Sequence, residues 1–404
     1  MKSVLTFILA GGKGERLHPL TKDRVKPAVP FGGIYRIIDF TLSNCINSGL
    51  RQIYVLIQYK SISLQRHLAM GWNIFNRELN EFIDAIPAQQ RIGSNWYRGT
   101  ADAIYQNFYS IDMEDPEHVL ILAGDHVYKM DYSQMIEFHL KNNADMTVAC
   151  VPMPKELSNQ LGVVEVDKNG KVYGFQEKPQ TPKTIIGQPS HIYASMGIYL
   201  FKKNILKEEL EQDENAESEH DFGKNIIPQM VKKSRDIYVF NFSDEKGTPK
   251  YWRDIGTRDA YYEANMDLIK EGCQFDLFER NWPIRTYQEQ FPPFKAEYFG
   301  EAKNKCVNSI VNCLISTGCV IRGGVARNSV LSPGVYIEDG AEVTGSILME
   351  SVKVGKNAKI KNAIIDKDVT ISNNTIIGYN PEDDRKRFTA TTSGIALVAK
   401  KTLI

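Results

Sequence analysis

The sequence predicts an α/β domain with a mostly parallel sheet, followed by a parallel β-helix. Three observations carry this reading. Apolar runs of strand length alternate with polar, helix-compatible stretches through the first half of the chain. A Gly-rich loop, Gly11-Gly12-Lys13-Gly14, follows the first apolar run at once. Near the C-terminus, aliphatic residues recur every six positions.

Taken in order, Val4 to Ala10 is apolar and rich in branched residues, and reads as the first strand. Ile37 to Ser48 reads as a helix, with Thr41, Ser43 and Asn44 available for capping or packing. Ile53 to Ile57, Val119 to Ala123 and Met146 to Val151 read as further strands, and Asp131 to Lys141 as a helix. Strand, helix, strand at this spacing predicts a parallel sheet with helices on both faces. Ligands of such sheets sit beyond the carboxyl ends of the strands. The loops after Ala10, Ile57 and Ala123 are therefore expected to share one cleft.

After Tyr287 the composition changes. Gln288 to Gly300, with Pro292-Pro293 in its middle, reads as an extended linker. Beyond it, Leu331, Ile337 and Val343 are six apart, as are Leu348, Val354 and Ile360, and Ile365, Ile371 and Ile377. Each triplet starts 17 residues after the one before, and Ile315 with Ile321 suggests a partial earlier coil. This is the hexapeptide pattern of a β-helix, in which each coil stacks an aliphatic layer on the next. Scattered strands of an ordinary sandwich do not explain nine aliphatics on one lattice.

Composition excludes several classes. Lys+Arg and Asp+Glu are both 49 among 404 residues, so no global field favours nucleic acid or membrane. No apolar run reaches the roughly 18 residues that a membrane span needs. The N-terminal run is too short, and too soon interrupted by glycine and charge, for a signal peptide. Six cysteines in this length make no disulfide framework, and Cys306, Cys313 and Cys319 lack zinc spacing. The expectation is a soluble cytoplasmic enzyme of two domains.

The Gly-rich loop suits phosphate. Glycines let backbone N–H groups approach closely, and Lys13, Arg16 and Lys26 add positive charge. It is not a P-loop, because Gly14 is followed by Glu15. It is not the dinucleotide fingerprint either, because Leu17 stands at the third glycine position. What remains is G-G-x-G-x-R-L with Lys26-Pro27 beyond it; a turn that binds nothing is the competing reading. Asp125, in Gly124-Asp125-His126, is placed to hold Mg²⁺, or else caps the helix near Asp131. Asp254, in Trp252-Arg253-Asp254-Ile255-Gly256, is a second carboxylate for the metal. Glu177-Lys178-Pro179 offers a carboxylate and an ammonium for a sugar phosphate, and Ser195 opens another strand with a hydroxyl. Trp96 and Tyr97, in Asn95 to Ala101, suit packing as well as ligand contact.

Together GGKGERL, KPAVPFGG, RIIDFTLSNCINSG, PAQQR, NWYRGTADA, LAGDHVYKMDY, GFQEKP, ASMGIYLF, HDFGKNIIP, YWRDIGT and RNWPIRTY resemble the bacterial glucose-1-phosphate adenylyltransferases, a branch of the sugar-phosphate nucleotidyltransferases. The resemblance covers nearly the whole chain. It implies a Rossmann-like catalytic domain over 1–287, a linker over 288–300 and a left-handed β-helix over 301–404 for assembly and regulation. It implies the reaction of ATP with α-D-glucose 1-phosphate to give ADP-glucose and pyrophosphate, the donor step of glycogen synthesis, with Mg²⁺. The family pattern puts Gly11, Gly12 and Gly14 around the nucleotide phosphates, with Arg16 and Lys26 neutralising charge. It puts Gln89 and Gly99 on the adenine side, and Asp125 and Asp254 on the metal. Tyr97, Gly162, Glu177, Lys178 and Ser195 take the glucose 1-phosphate. A homotetramer is implied, alone or with a related regulatory subunit. Two other readings stay open: the same chemistry with UTP or dTTP, and a catalytically silent regulatory subunit. Members activated by fructose 1,6-bisphosphate carry a Lys and a His where this chain has Asp23 and Pro30. Arg24, Arg36, Arg385 and Arg387 remain as cations for an anionic effector.

Overall fold

The computed structural model describes residues 4–89, 96–297 and 309–404. Cys306 lies outside them. The chain forms two compact units, one of Met1–Gly12, Thr41–Ser61 and Trp72–Trp252, the other of Lys13–Phe40, Ile62–Gly71 and Arg253–Ile404. No described helix is long and apolar enough to cross a membrane.

The first unit is built on a nine-stranded sheet. Its strands are β1 (Val4–Leu9), β2 (Gln52–Ile57), β3 (Phe82–Pro87), β4 (His118–Ala123), β5 (Met146–Pro154), β6 (Gly162–Val166), β7 (Val172–Glu177), β8 (His191–Lys202) and β9 (Ile237–Asn241). The order runs β7-β6-β8-β4-β1-β2-β3, and β5 pairs with both β8 and β9. β1 lies between β4 and β2, parallel to both, and Leu5, Phe7 and Ile8 are fully buried. Burial on both faces is why this run, save for Thr6, is apolar instead of alternating.

The sheet is parallel only in part. β8 runs antiparallel to β4, β5 and β6, and β7 antiparallel to β6. β6 and β7 are joined by a turn in which Gly170 takes φ 79°. So short a link allows a hairpin, whereas a parallel neighbour needs a crossover of about a dozen residues or more.

The predicted helices are present as Ile37–Asn47 and Tyr132–Lys141. In the first, the polar residues serve packing: Thr41 Oγ1 donates to the Ala123 carbonyl (3.0 Å) and Asn44 Nδ2 to that of Tyr128 (3.0 Å). Asp131 caps the second, accepting from Ser133 N at 2.9 Å, so Asp125 is not the cap.

That second helix ends on a buried histidine pair. His139 is 1% exposed, its Nδ1 lies 2.8 Å from Thr147 Oγ1, and its ring meets His118 edge-on at 5.1 Å. Burial lowers the pKa of both imidazoles, that of His139 to about 3. Both therefore stay neutral in the fold while the unfolded chain protonates below about 6.5. The stability from this pair is present above pH 6.5 and is lost as pH falls from there toward 3. Urea midpoints measured at pH 7 and pH 5 should drop, by on the order of 1–2 kcal/mol of stability. The drop should shrink in His139→Gln; an equal drop in that variant would clear the pair of the effect.

In the second unit, short strands stack into three parallel ladders, a left-handed parallel β-helix. The register pairs Leu331 with Leu348 and Leu348 with Ile365, Ile337 with Val354 and Val354 with Ile371, and Val343 with Ile360 and Ile360 with Ile377. All nine are at most 1% exposed. The earlier coil is also present, Ile315 on Leu331 and Ile321 on Ile337. Its third layer position is Ala326, which pairs with Val343 and stands five residues after Ile321, so the six-residue count misses it. Lys295–Glu297, inside the stretch read as linker, is a strand paired with Val320–Arg322. An extended backbone beside a coil edge satisfies its N–H and C=O groups there. Its last residues, 298–300, lie outside the described residues.

Candidate active site

In the first unit, the carboxyl ends of β1, β2 and β4 come out at one level, because Leu9 stands opposite both Leu56 and Ala123. Ala10 N donates to the Leu56 carbonyl (2.9 Å) and Gly124 N to that of Leu9 (3.1 Å), so the loops leave the sheet side by side. A Cβ on Gly11 would stand 3.3 Å from Gln58 Cβ, whereas Gly12 faces open space. Asp125 follows directly, its Oδ1 3.6 Å from His126 Nε2 and its side chain 32% exposed. Gln89 is exposed just past β3; the rest of that motif, Gln90 and Arg91, lies outside the described residues.

In the second unit, Gly14 takes φ 66°, and a Cβ there would lie 3.0 Å from Thr21 Cγ2. Thr21 Oγ1 donates to the Gly14 carbonyl at 2.8 Å and closes the loop. Arg16 sits in the short 3₁₀ turn Glu15–Leu17 that follows. Lys26 is 8% exposed, and its Nζ lies 3.0 Å from Asp254 Oδ1. Around Gly256, a Cβ would meet Asp254 Oδ2 at 3.1 Å and the Arg16 Nη atoms at 3.3 and 3.4 Å. Two cations and a carboxylate thus converge where one residue has no side chain. Thr257 caps the helix Arg258–Asp267, and Arg258 Nε donates to the His18 carbonyl at 2.7 Å, which ties that helix to the loop. Such a cluster can neutralise the oxygens of a polyphosphate.

Back in the first unit, Glu177 ends β7 and Lys178 turns the chain with φ 51°. Lys178 Nζ lies 3.1 Å from Glu177 Oε1, with half its side chain exposed. A Cβ on Gly162 would lie 2.8 Å from Phe175 Cζ and 3.1 Å from Glu177 Oε2, so this glycine makes room for the carboxylate. Ser195 is in the middle of β8 instead of opening it; the strand begins at His191. The pairing with β5 shifts between Ser195 and Tyr199, and Gly197 takes φ 66°. That bulge re-aims the local side chains. Tyr97 Oη accepts from Asn107 Nδ2 at 2.8 Å, and burial raises its pKa, so the phenol keeps its proton at neutral pH. Trp96 is about half exposed.

Two features escaped sequence reasoning. A Cβ on Gly99 would lie 2.2 Å from the His220 carbonyl oxygen and 2.4 Å from that of Glu219. Gly99 is thus required where two backbones cross. Asp221, next along, accepts from Gly223 N (2.9 Å), Lys224 N (3.1 Å) and Thr100 Oγ1 (2.9 Å). An Asp two residues before a Gly is a turn signal, but nothing local says that it ties Thr100 to this turn.

The sequence profile described as nucleotidyl transferase matches residues 5–271, and the one described as GlmU-like, C-terminal hexapeptide matches residues 295–398. A glucose-1-phosphate adenylyltransferase of Koribacter versatilis is 50% identical over 99% of this chain and 96% of its own length. That of Rhodopirellula baltica is 48% identical over 100% and 91%. Glucose-1-phosphate adenylyltransferase 2 of Vibrio cholerae is 45% identical over 98% of both chains. The chain belongs to the glucose-1-phosphate adenylyltransferase family.

In this family member, a cavity of about 580 Å³ within the second unit is lined by Arg24 and Arg36 together with Arg66 and Lys367. Arg24 is paired with Asp366, and Lys367 with Glu350. Arg36 Nη1 donates to Ser63 Oγ at 2.8 Å. Burial lowers the pKa of Lys367 in spite of Glu350. Arg385 and Arg387 do not line this cavity. They belong to the helix Pro381–Arg387, where Arg387 Nη1 bonds the Ile376 carbonyl (3.1 Å) and Asp383 (3.0 Å).

Proposed function

We propose that this protein transfers AMP from ATP to α-D-glucose 1-phosphate, releasing pyrophosphate and ADP-glucose for glycogen synthesis. The convergence of Arg16, Lys26 and Asp254 at Gly256, beside a Gly-rich loop, carries the reading. A phosphate oxygen of the sugar phosphate attacks the α-phosphorus of ATP in line. The new P–O bond forms as the bond to the pyrophosphate oxygen breaks. The nucleophile is already an anion, so no side chain has to remove a proton. The difficulty is repulsion between two anions. Arg16 and Lys26 lower it on the nucleotide side, where Gly11, Gly12 and Gly14 admit the phosphates. Lys178 lowers it on the sugar-phosphate side, where Glu177, Ser195, Tyr97 and Gly162 hold the sugar. Gln89 belongs to the adenine side; Gly99, which lets two backbones cross at His220, serves the site by that close approach. Orientation of the two substrates supplies much of the remaining acceleration.

Asp125 and Asp254 hold Mg²⁺ in this reading. Both are oxygen donors with about a third of the side chain exposed, which fits a hard cation that keeps some of its water. The metal when bound supplies further charge neutralisation on the phosphates. The enzyme works in the cytoplasm as a homotetramer, alone or with a related regulatory subunit. The catalytic segment is 1–287, and 301–404 serves assembly and regulation. The test is pyrophosphate release from α-D-glucose 1-phosphate with ATP, UTP and dTTP in turn. ATP should be preferred. Equal use of UTP or dTTP would move the assignment to another base, and no release with any of them would point to a silent regulatory subunit.

The cavity around Arg24 and Arg36 is the place for an effector anion. Six cations and five carboxylates line it, so its own charges nearly cancel. Asp23 is one of those carboxylates, and Pro30, also in the lining, offers no donor. Fructose 1,6-bisphosphate should therefore give little or no activation when initial rates are compared at subsaturating ATP. Asp23→Lys should create a response. A several-fold activation of the unaltered enzyme would mean that other cations replace the missing Lys and His.

A further inference from the structure

We propose that His220 is a positioning residue for the sugar-phosphate side of the site, a role that rests on the function proposed above. His220 is 5% exposed and takes φ 52°, a left-handed conformation uncommon outside glycine, which His adopts more readily than most residues. Its Nδ1, backbone N–H and carbonyl tie it to the neighbouring segments. Nδ1 lies 2.8 Å from Asp213 Oδ2, at the end of the helix Lys203–Glu214. Asp213 Oδ1 accepts from Ser218 Oγ at 2.8 Å, and Ser218 Oγ in turn accepts from His220 N at 2.9 Å. The His220 carbonyl accepts from Ala101 N at 2.8 Å and Asp102 N at 3.3 Å. Those N–H groups open the helix Thr100–Tyr105 and have no partner within it.

Both sugar-side segments are thereby fixed through one residue. The helix Thr100–Tyr105 continues directly from Tyr97, and Gly99 lets its backbone touch the His220 carbonyl. On the other side, Asp221 closes the turn in which Gly223 meets Glu177: a Cβ on Gly223 would lie 3.1 Å from Glu177 Oε2. Phe222 N donates to Thr100 Oγ1 at 3.0 Å and locks the turn to the helix start. His220 thus sets where Tyr97 stands relative to Glu177 and Lys178 while offering no group of its own to the substrate. Asp213 holds the ring, and the ring holds a backbone that would otherwise leave the left-handed region.

The experiment compares His220→Ala and His220→Asn with the wild type in KM for each substrate, in kcat and in thermal midpoint. His220→Ala should raise KM for glucose 1-phosphate about tenfold while KM for ATP stays within about twofold. His220→Asn should recover most of that loss. Asn tolerates the left-handed conformation, and its Nδ2 can donate to Asp213 in place of Nδ1. Should His220→Ala fail to fold, Asp213→Asn read by direct titration with glucose 1-phosphate should show the same selective weakening. Equal rises in both KM values, an unchanged KM for glucose 1-phosphate, or an Asn variant no better than Ala would each overturn the proposal. Turnover of the wild type with ATP and glucose 1-phosphate is a separate result; its absence would remove the proposed reaction itself.

Discussion

Asp125→Asn is expected to lower kcat by on the order of 10²–10³, the range for removing one preorganised electrostatic group. The amide keeps the shape of the carboxylate but loses its charge, and a neutral oxygen is a poor ligand for Mg²⁺. KM values should change far less, because the lost interaction is one that grows as charge moves onto the leaving pyrophosphate. Folding should be untouched: the helix that follows is capped by Asp131, and Asp125 is partly exposed with His126 Nε2 3.6 Å away. The Mg²⁺ concentration for half-maximal rate should rise in the variant. In the wild type, chelation should abolish turnover and added Mg²⁺ should restore it. Near-normal turnover of Asp125→Asn would remove Asp125 from the metal.

Lys178→Ala should raise KM for glucose 1-phosphate by about 10–100-fold, the worth of one or two charge-assisted contacts to a phosphate. KM for ATP should hardly move. Stability should stay within about 0.5 kcal/mol, as for surface changes that orphan no buried group. Lys178 is half exposed, and Glu177 is itself partly exposed to solvent, so the substitution buries no charge. The positive φ at 178 is carried equally well or badly by alanine, since both residues have a Cβ. A matched loss for both substrates would assign Lys178 to shaping the whole site. Separate titration of each substrate against the variant distinguishes the two outcomes.

The parts of this protein that were legible in its sequence are those set by local rules. A strand buried on both faces reads as a nearly continuous apolar run, and Val4 to Leu9, broken only by Thr6, is one. A coil that stacks on its neighbour must repeat its inward aliphatics, so the lattice from Leu331 to Ile377 is written in the sequence itself. The Gly-rich loop and its cations lie close together in the chain. Where the repeat is one residue shorter, local counting fails: Ala326 fills a layer position one residue early.

Tertiary structure alone decided the rest. No local pattern shows that β8 runs against its neighbours, or that Ser195 lies in mid-strand beside a bulge. Lys26 and Asp254 are 228 residues apart in sequence and 3.0 Å apart in space. Gly99 is a glycine because of a carbonyl at His220. Arg24 finds its counter-ion at Asp366, and Arg385 and Arg387, alike in charge, stay with their own helix. Periodicity and turn chemistry act over a few residues, so the sequence by itself determined which segments become strands, coils and phosphate loop. Which charges meet depends on chain crossings that bring distant segments together, and only the fold sets those.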